Sequence, residues 1–168
     1  MSASLALRAF VGRDMRPHVD RLVAFASDAH VIVEFGVRRG FSTVAFLEGL
    51  PEDGFLFSVD VDRCPSHIDD PRWTFIHGDD RDPAIRRRLP QYADLVFIDT
   101  SHEFEHTFDE LLFARTLRPS VILCHDAYWS GVVGAIETFC DDGRWRVAET
   151  FEAHDHKGDF SLAVLVLA

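Results

Sequence analysis

The residues that are best suited to catalysis or metal binding stand at the ends of two apolar runs. Asp99-Thr-Ser-His102 closes the run at 94–99, and His125-Asp126 follows the run at 121–124. If both runs are neighbouring parallel strands, their carboxyl ends lie about 5 Å apart. Carboxylates and imidazoles converging there could hold one divalent cation with open positions for substrate oxygens. Alternatively, the imidazole of His102 or His125 could act as a general base near neutral pH without any metal.

A glycine-containing turn follows the β-branched run at 31–35, which includes Glu34. Gly36 and Gly40 allow a tight turn, after which a new helix begins that Ser42 or Thr43 could cap. The free N–H groups at the start of that helix face whatever occupies the turn. This strand-turn-helix corner therefore predicts a nucleotide-type pocket at the carboxyl end of a buried strand.

The spacing of the turn favours one class of nucleotide ligand. Dinucleotide binding favours G-x-G-x-x-G, and Arg38 stands where the middle glycine would be. An acid two residues before the first glycine suits a cationic, non-phosphorylated ligand better. A nicotinamide-dependent oxidoreductase is therefore a weaker alternative, which NAD binding would reveal.

Composition sets limits on the class of protein. The 168 residues are 47% hydrophobic, which predicts one folded domain over residues 1–168. A net charge of −11 argues against nucleic acid or an anionic membrane as partner. No apolar run approaches the roughly 20 residues of a membrane span, and no secretory core is evident, so we expect a cytoplasmic protein. Cys64, Cys124 and Cys140 share no C-x-x-C spacing, so a disulfide framework is not expected.

The elements that must position these residues alternate along the chain. An N-terminal helical segment within 1–29 has an apolar stripe and is expected to pack on the core or cover the pocket. Apolar runs predict strands at 31–35, 55–60, 73–77, 94–99, 121–124, 145–151 and 160–167, and helical patterns are expected at about 42–50, 85–89, 103–117 and 131–140. A short polar connection at 152–159 indicates that the last two strands are antiparallel. The sequence therefore predicts an α/β protein with an open, mostly parallel sheet.

Two features of this pattern resemble a known family. The motif Glu34-x-Gly36-x-x-x-Gly40-x-Ser42-Thr43 resembles motif I of class I S-adenosylmethionine-dependent methyltransferases, especially small-molecule O-methyltransferases. The order of elements also resembles their Rossmann-like fold, a three-layer sandwich around a seven-stranded, mostly parallel sheet with an antiparallel last strand. The resemblance runs from about residue 31 to the C-terminus.

The resemblance implies a set of cofactor contacts. Asp60, with Asp62 as a second candidate, would accept hydrogen bonds from the ribose hydroxyls, and Asp79 or Asp80 would reach the exocyclic amine of adenine. Glu34 would face the positively charged methionine end. The remaining cofactor-binding candidates are the turn and strand-end residues Gly36, Gly40, Ser42, Thr43 and Asp99.

The catalytic cluster has a resemblance of its own. D-x-S-H followed by H-D resembles the metal-dependent sugar and macrolide O-methyltransferases and the wider cephalosporin-hydroxylase-related family. The match implies that Asp99 and Asp126 bind a metal such as Mg²⁺, with His125 as a further candidate. Several relatives have two acids at the fifth-strand end, whereas this chain has His125 first, which favours weaker Mg²⁺ binding or a different metal.

Several neighbouring residues have two interpretations each. Tyr128 and Trp129 could form an aromatic wall for substrate or pack against the next helix. Arg38 and Arg39 could bind a carboxylate or point to solvent. His154-Asp-His156 could bind metal but is more typical of a polar hairpin tip.

These patterns lead to one expected function and one alternative of a different kind. We expect S-adenosylmethionine-dependent O-methylation of a small hydroxylated metabolite, assisted by a metal or by His102 or His125, in a homo-oligomer that is most simply a homodimer. The alternative is a non-catalytic S-adenosylmethionine-binding or partner protein of the same fold. The short chain motivates it, because little sequence remains to build a substrate lid.

Overall fold

The computed structural model describes residues 3–63, 65–155 and 158–168 of the chain. Its helices are α1 Leu5–Phe10, α2 Val19–Ser27, α3 Phe41–Gly49, α4 Pro83–Arg86, α5 Phe104–Thr116 and α6 Ser130–Cys140. Its strands are β1 Val31–Phe35, β2 Phe55–Asp60, β3 Trp73–His77, β4 Leu95–Ile98, β5 Val121–His125, β6 Trp145–Asp155 and β7 Gly158–Leu167. No helix among the described residues is long and apolar enough to cross a membrane.

All seven strands form one sheet in the order β3-β2-β1-β4-β5-β7-β6. The pairs among β3, β2, β1, β4 and β5 are parallel, and β7 runs antiparallel between β5 and β6. The predicted sheet, with its antiparallel last strand, is confirmed. The order reverses between β1 and β4, and open α/β sheets bind ligands at such a switch point.

Apolar side chains on both faces of the sheet divide the core into two clusters. One cluster packs β-strand residues against α1, α2 and α3, and the other packs them against α5 and α6. Ile32 and Phe97 lie on the first side, and Val33 and Val96 lie on the second. Because both faces are covered, the central strands are continuous apolar runs rather than alternating ones.

The N-terminal segment is only partly helical. Helices α1 and α2 are separated by a turn at 12–18, and α2 packs against α3 through Leu22, Val23 and Ala26, which are fully buried. The apolar stripe predicted for this region is therefore the contact face of α2. The intervening turn lies over the carboxyl edge of the sheet, where it contributes to the site described below.

The closing hairpin differs from the prediction. Strands β6 and β7 continue through most of the polar stretch that the sequence assigned to a connection, and His154 pairs with Asp159 across the ladder. Exposed antiparallel edges accept polar side chains, so polarity alone did not mark the strand ends. His156 lies outside the described residues, as does Cys64, while Cys124 and Cys140 are free thiols.

Candidate functional site

Glu34 is enclosed at the end of β1 rather than open to a ligand. Its side chain is fully buried and accepts hydrogen bonds from Ser42 Oγ at 2.6 Å, Thr43 Oγ1 at 2.8 Å and Ser58 Oγ at 2.6 Å. Burial raises the pKa of Glu34 to about 7, although the three hydroxyl groups act in the opposite direction. This carboxyl group ties β1, β2 and α3 together beneath the glycine turn.

The predicted helix cap at Ser42 or Thr43 was wrong. Helix α3 begins after Gly40, which is the N-cap residue with φ of 74°, and no side-chain hydrogen bond caps the helix. Ser42 and Thr43 lie inside the first turn of the helix rather than at its N-cap position, and their hydroxyl groups donate to the buried carboxyl group of Glu34.

Gly36 lets the turn approach the neighbouring strand. Its φ is 89°, and a Cβ at this position would lie 2.0 Å from the carbonyl oxygen of Asp99. Only glycine adopts this positive φ without strain and also leaves room for the Asp99 carbonyl group. Arg38 also adopts a left-handed backbone conformation, with φ of 48°, and its side chain forms an ion pair with Asp14 at 2.8 Å. The structure therefore places the Arg38 side chain against the N-terminal segment.

Asp60 fixes the same turn from the end of β2. Its Oδ2 accepts hydrogen bonds from the backbone N–H groups of Val37 at 2.6 Å and Arg38 at 2.8 Å, and its Oδ1 accepts one from Asp62 at 2.7 Å. Two carboxylate oxygens can accept about four hydrogen bonds. Asp60 therefore holds the glycine turn in place while Oδ1 can still accept from a ligand.

A pocket of about 360 Å³ opens at the carboxyl ends of β1, β2, β3 and β4. Its lining combines the glycine turn after β1 with acids from the ends of the other three strands, namely Gly36, Arg38, Val59, Asp60, Val61, Asp62, Gly78, Asp79, Asp80, Arg81, Asp99, Thr100, Ser101 and His106. Six of the predicted cofactor-binding candidates line it: Gly36, Asp60, Asp62, Asp79, Asp80 and Asp99. Glu34, Gly40, Ser42 and Thr43 are not among the lining residues and lie behind or beside the turn.

Beneath the far end of the pocket lies a buried polar cluster that the sequence did not indicate. Asp80 Oδ1 lies 3.1 Å from His106 Nε2, and the same imidazole lies 3.7 Å from the fully buried Glu110. Thr100 Oγ1 donates to Glu110 at 2.8 Å. Burial raises the pKa of Glu110 well above its ordinary value, and the neighbouring Asp80 adds to the effect. Asp79 instead faces outward and pairs with Arg81.

The structure brings Asp99, His125 and Asp126 together, with one ligand atom from each lying within 4.8 Å of the others. His125 Nδ1 lies 3.3 Å from Asp99 Oδ1 and 3.3 Å from Asp126 Oδ2, yet neither contact has hydrogen-bond geometry. Burial alone would lower the pKa of His125, but the two carboxylates raise it to about 10. Asp126 has φ of 53°, an uncommon conformation for a non-glycine residue that is often found at functional sites.

His102 completes the outer side of this cluster. Its Nε2 lies 2.9 Å from Asp126 Oδ2, and its ring stacks on Trp129 with an interplanar angle of 2°. Trp129 and Tyr128 are 48% and 44% exposed, and their rings lie 5.6 Å apart. The two aromatic side chains thus form an exposed wall beside the Asp99–His125–Asp126 cluster.

The turn at 12–18 covers the inner side of the cluster. Asp14 and Met15 lie across a small cavity from Asp99 and Ser42. His18 is 1% exposed and packs edge-to-face on His125, with ring centroids 5.5 Å apart. Burial lowers the pKa of His18 to about 4, and His125 and Arg21 contribute further. No motif in the sequence marks His18 or Asp14, because both stand alone in a polar turn.

Comparison with solved structures relates this fold to known proteins. An O-methyltransferase from Bacillus cereus, solved in complex with S-adenosylhomocysteine, is 18% identical, with a TM-score of 0.73 and coverage of 98% of this chain and 88% of that chain. The O-methyltransferase TomG from Streptomyces achromogenes, involved in tomaymycin synthesis and solved with S-adenosylmethionine, is 17% identical, with a TM-score of 0.72 and coverage of 100% and 92%. At these identities the likeness establishes a shared Rossmann-like methyltransferase fold.

Sequence comparison identifies the family. No curated protein matches the chain significantly. The profile of a family described as a methyltransferase domain matches residues 33–127, which is more than half of the chain and includes both the glycine turn and the His125-Asp126 pair. The chain therefore belongs to the family of methyltransferase domains.

Proposed function

We propose that this methyltransferase uses S-adenosylmethionine to methylate a hydroxyl group of a small molecule, with assistance from a divalent metal ion. The family match supports methyl transfer, and the two structural neighbours described above are O-methyltransferases with S-adenosylhomocysteine or S-adenosylmethionine bound. Homo-oligomerisation, a cytoplasmic location and the absence of a nucleic-acid partner remain predictions.

The observation that best supports the proposal is that Asp99 belongs both to the pocket and to the cluster. This residue lines the 360 Å³ pocket and is also one of the three side chains of the Asp99–His125–Asp126 cluster. A methyl donor in the pocket would therefore end beside the cluster that activates the acceptor oxygen. Methyl transfer requires this adjacency, because the donor methyl group and the attacking oxygen must be held in line.

The lining residues suggest how the cofactor would lie. Asp60 Oδ1 retains hydrogen-bonding capacity for a ribose hydroxyl group, and Asp79 and Asp80 lie at the far end, where adenine would bind. The sulfonium end would then lie toward Asp99, whose carboxylate favours positive charge. Glu34 would act indirectly, because its carboxyl group is enclosed by three hydroxyl groups and fixes the turn from behind.

The donor set fits a divalent cation. His125 Nδ1 lies 3.3 Å from Asp99 Oδ1 and 3.3 Å from Asp126 Oδ2. Two ligands bound at roughly 2.1 Å lie about 3.0–3.4 Å apart in octahedral or tetrahedral geometry. A bound ion would also give His125 Nδ1 the partner that it lacks among the described residues. When bound there, a divalent ion lowers the pKa of a coordinated substrate hydroxyl group.

Of the two candidate bases, His102 is better placed to accept the substrate proton. Its side chain is 38% exposed, whereas His125 is 2% exposed and faces two carboxylates. In the tautomer that donates from Nε2 to Asp126, His102 has Nδ1 available as the proton acceptor. Stacking on Trp129 holds the ring in this orientation. Trp129 and Tyr128 would also contact the acceptor molecule.

Calorimetric titration with S-adenosylhomocysteine tests the cofactor assignment. We expect wild-type protein to bind and Asp60→Ala to bind roughly 10–100-fold more weakly, the usual effect of losing a hydrogen bond to a charged group. Asp53→Ala is the matched control, because it removes an exposed acid before β2, at the opposite edge of the sheet. Equal affinities in all three proteins, or no binding by folded wild type, would contradict the assignment.

Transfer of a labelled methyl group to pools of hydroxylated small molecules tests the reaction itself. We expect turnover that depends on added divalent metal and is lost in Asp126→Asn, while binding of S-adenosylhomocysteine persists in that variant. Transfer that is unaffected by chelation and by Asp126→Asn would overturn the metal-assisted mechanism but not the methyltransferase assignment.

A further inference from the structure

His18 is buried in a way that ordinary packing does not explain. The residue is 1% exposed, and neither of its ring nitrogens has a hydrogen-bond partner within the described part of the chain. Buried polar groups in proteins are almost always hydrogen-bonded, because an unpaired one loses its interaction with water without replacement. An aliphatic side chain would fill the same space without this cost.

The surroundings of His18 indicate what its nitrogen could bind. Its ring lies 5.5 Å from the ring of His125, at an interplanar angle of 82°, and the carboxylate of Asp126 is within electrostatic range. Two imidazoles bound to one metal ion through bonds of about 2.1 Å have ring centres roughly 4.5–5.5 Å apart. The observed separation lies at the upper end of that range.

His125 is also buried, although the carboxylates of Asp99 and Asp126 lie 3.3 Å from its Nδ1. It is 3% exposed, and neither of its ring nitrogens makes a hydrogen bond to the described residues. Two adjacent buried imidazoles without hydrogen bonds, next to two carboxylates, form a set of donors that a single cation would satisfy. His18 is not part of the group whose ligand atoms lie within 4.8 Å of one another, so its side chain would have to rotate about its χ angles to bring a ring nitrogen to the ion.

We propose that His18 is the fourth protein ligand of the metal centre formed by Asp99, His125 and Asp126. This inference rests on the proposed metal-assisted function and extends it to the identity of the metal. Two imidazoles and two carboxylates favour a transition metal such as Mn²⁺, Fe²⁺, Co²⁺ or Zn²⁺ over Mg²⁺, which prefers oxygen ligands and water. The metal ion would then link the turn at 12–18 to the carboxyl edge of the sheet.

Co²⁺ is a suitable probe because its visible absorption reports the ligand set without requiring a substrate. We expect wild-type protein to bind Co²⁺ and to retain it in about a hundredfold excess of Mg²⁺. His18→Phe keeps the size and aromatic character of the side chain but removes both nitrogens, and it should weaken Co²⁺ binding at least about tenfold. His30→Phe removes a histidine that is far from the cluster and pairs with Asp53, and it should have no effect.

A second variant makes the test independent of folding defects. His18→Cys replaces the imidazole with a thiol ligand, and we expect Co²⁺ binding with a new sulfur-to-cobalt absorption band that wild type lacks. In the metal-free protein, His18→Phe should raise Tm by about 2–4 °C, because it removes a buried polar group without partners.

The outcomes separate this inference from the function on which it rests. Co²⁺ binding that is lost in Asp126→Asn but unchanged in affinity and spectrum in His18→Phe would overturn the role of His18 and leave the metal centre intact. Co²⁺ binding by His18→Cys without the sulfur band would also overturn it. No Co²⁺ binding by wild type would overturn the metal centre and the role of His18 together, while binding of S-adenosylhomocysteine would still test the cofactor site.

Discussion

The carbonyl oxygen of Asp99 occupies the space where a side chain at Gly36 would begin. A Cβ at Gly36 would lie 2.0 Å from that oxygen, and Gly36 itself has φ of 89°. The glycine turn after β1 and the strand end that leads to the Asp99–His125–Asp126 cluster are therefore in direct backbone contact. A larger residue at Gly36 would therefore displace the strand end, and we expect it to disturb both the proposed cofactor pocket and the cluster.

Gly36→Ala should consequently be far more damaging than an alanine at another glycine with positive φ. Gly143 is the matched control, because its φ is 72° and a Cβ there would meet nothing within 4 Å. We expect Gly143→Ala to lower the free energy of unfolding by about 1–2 kcal/mol from backbone strain alone. Gly36→Ala should cost roughly 3 kcal/mol or more, because the clash adds to the strain. Urea unfolding of both variants measures the difference, and equal losses would show that the contact with Asp99 is unimportant.

The buried carboxyl group of Glu34 should make stability depend on pH. Its pKa is raised from 4.5 to about 7 in the folded protein, so between these values the folded state retains a proton that the unfolded state releases. The free energy of unfolding therefore falls as pH rises through this window, by about 3 kcal/mol in total, and stays low above it.

Glu34→Gln has no such proton and isolates the effect. We expect the stability of wild type relative to this variant to decrease between pH 4.5 and 8, as measured by urea unfolding at a series of pH values. A difference that is independent of pH, or that grows with pH, would mean that the hydroxyl groups of Ser42, Thr43 and Ser58 stabilise the charged form fully.

The cluster of Asp80, His106 and Glu110 beside the pocket should contribute strongly to the free energy of unfolding. His106→Phe removes the imidazole that faces two buried carboxyl groups. We expect the free energy of unfolding to fall by roughly 2–4 kcal/mol. Adding Asp80→Asn should recover part of this loss, because it removes a negative charge from the buried pair. His77→Phe is the control, since His77 is exposed and its Nε2 lies 2.9 Å from the carbonyl oxygen of Val61 rather than near a buried carboxyl group. Additive effects of the two substitutions would contradict this coupling.

Much of the fold was predictable because the central strands are continuous apolar runs that end on polar residues. The proximity of Asp99 to His125 and Asp126 followed from the same pattern, since neighbouring parallel strands place their carboxyl ends side by side. These predictions depend on burial, which makes the central strands continuous apolar runs, and on the expectation that successive strands are neighbours in the sheet.

The remaining contacts depend on packing between distant segments. Ser42 and Thr43 were predicted as helix caps because Ser and Thr are common at the N-cap position. That preference takes no account of the buried carboxyl group of Glu34, which lies behind the turn. His106 and Glu110 lie on α5 and meet Asp80 only after folding, and His18 reaches His125 from a turn more than a hundred residues away. No local pattern of residue types marks such pairs.

The central claim is that one cofactor pocket and one metal cluster meet at Asp99. Paramagnetic Mn²⁺ added to the complex with S-adenosylhomocysteine tests it, because relaxation of the ligand protons falls steeply with their distance from the metal. We predict strong relaxation of the protons that flank the sulfur atom, weaker relaxation of the adenine protons, and loss of both effects in Asp126→Asn. Equal relaxation of all ligand protons, or the strongest relaxation at adenine, would contradict the claim.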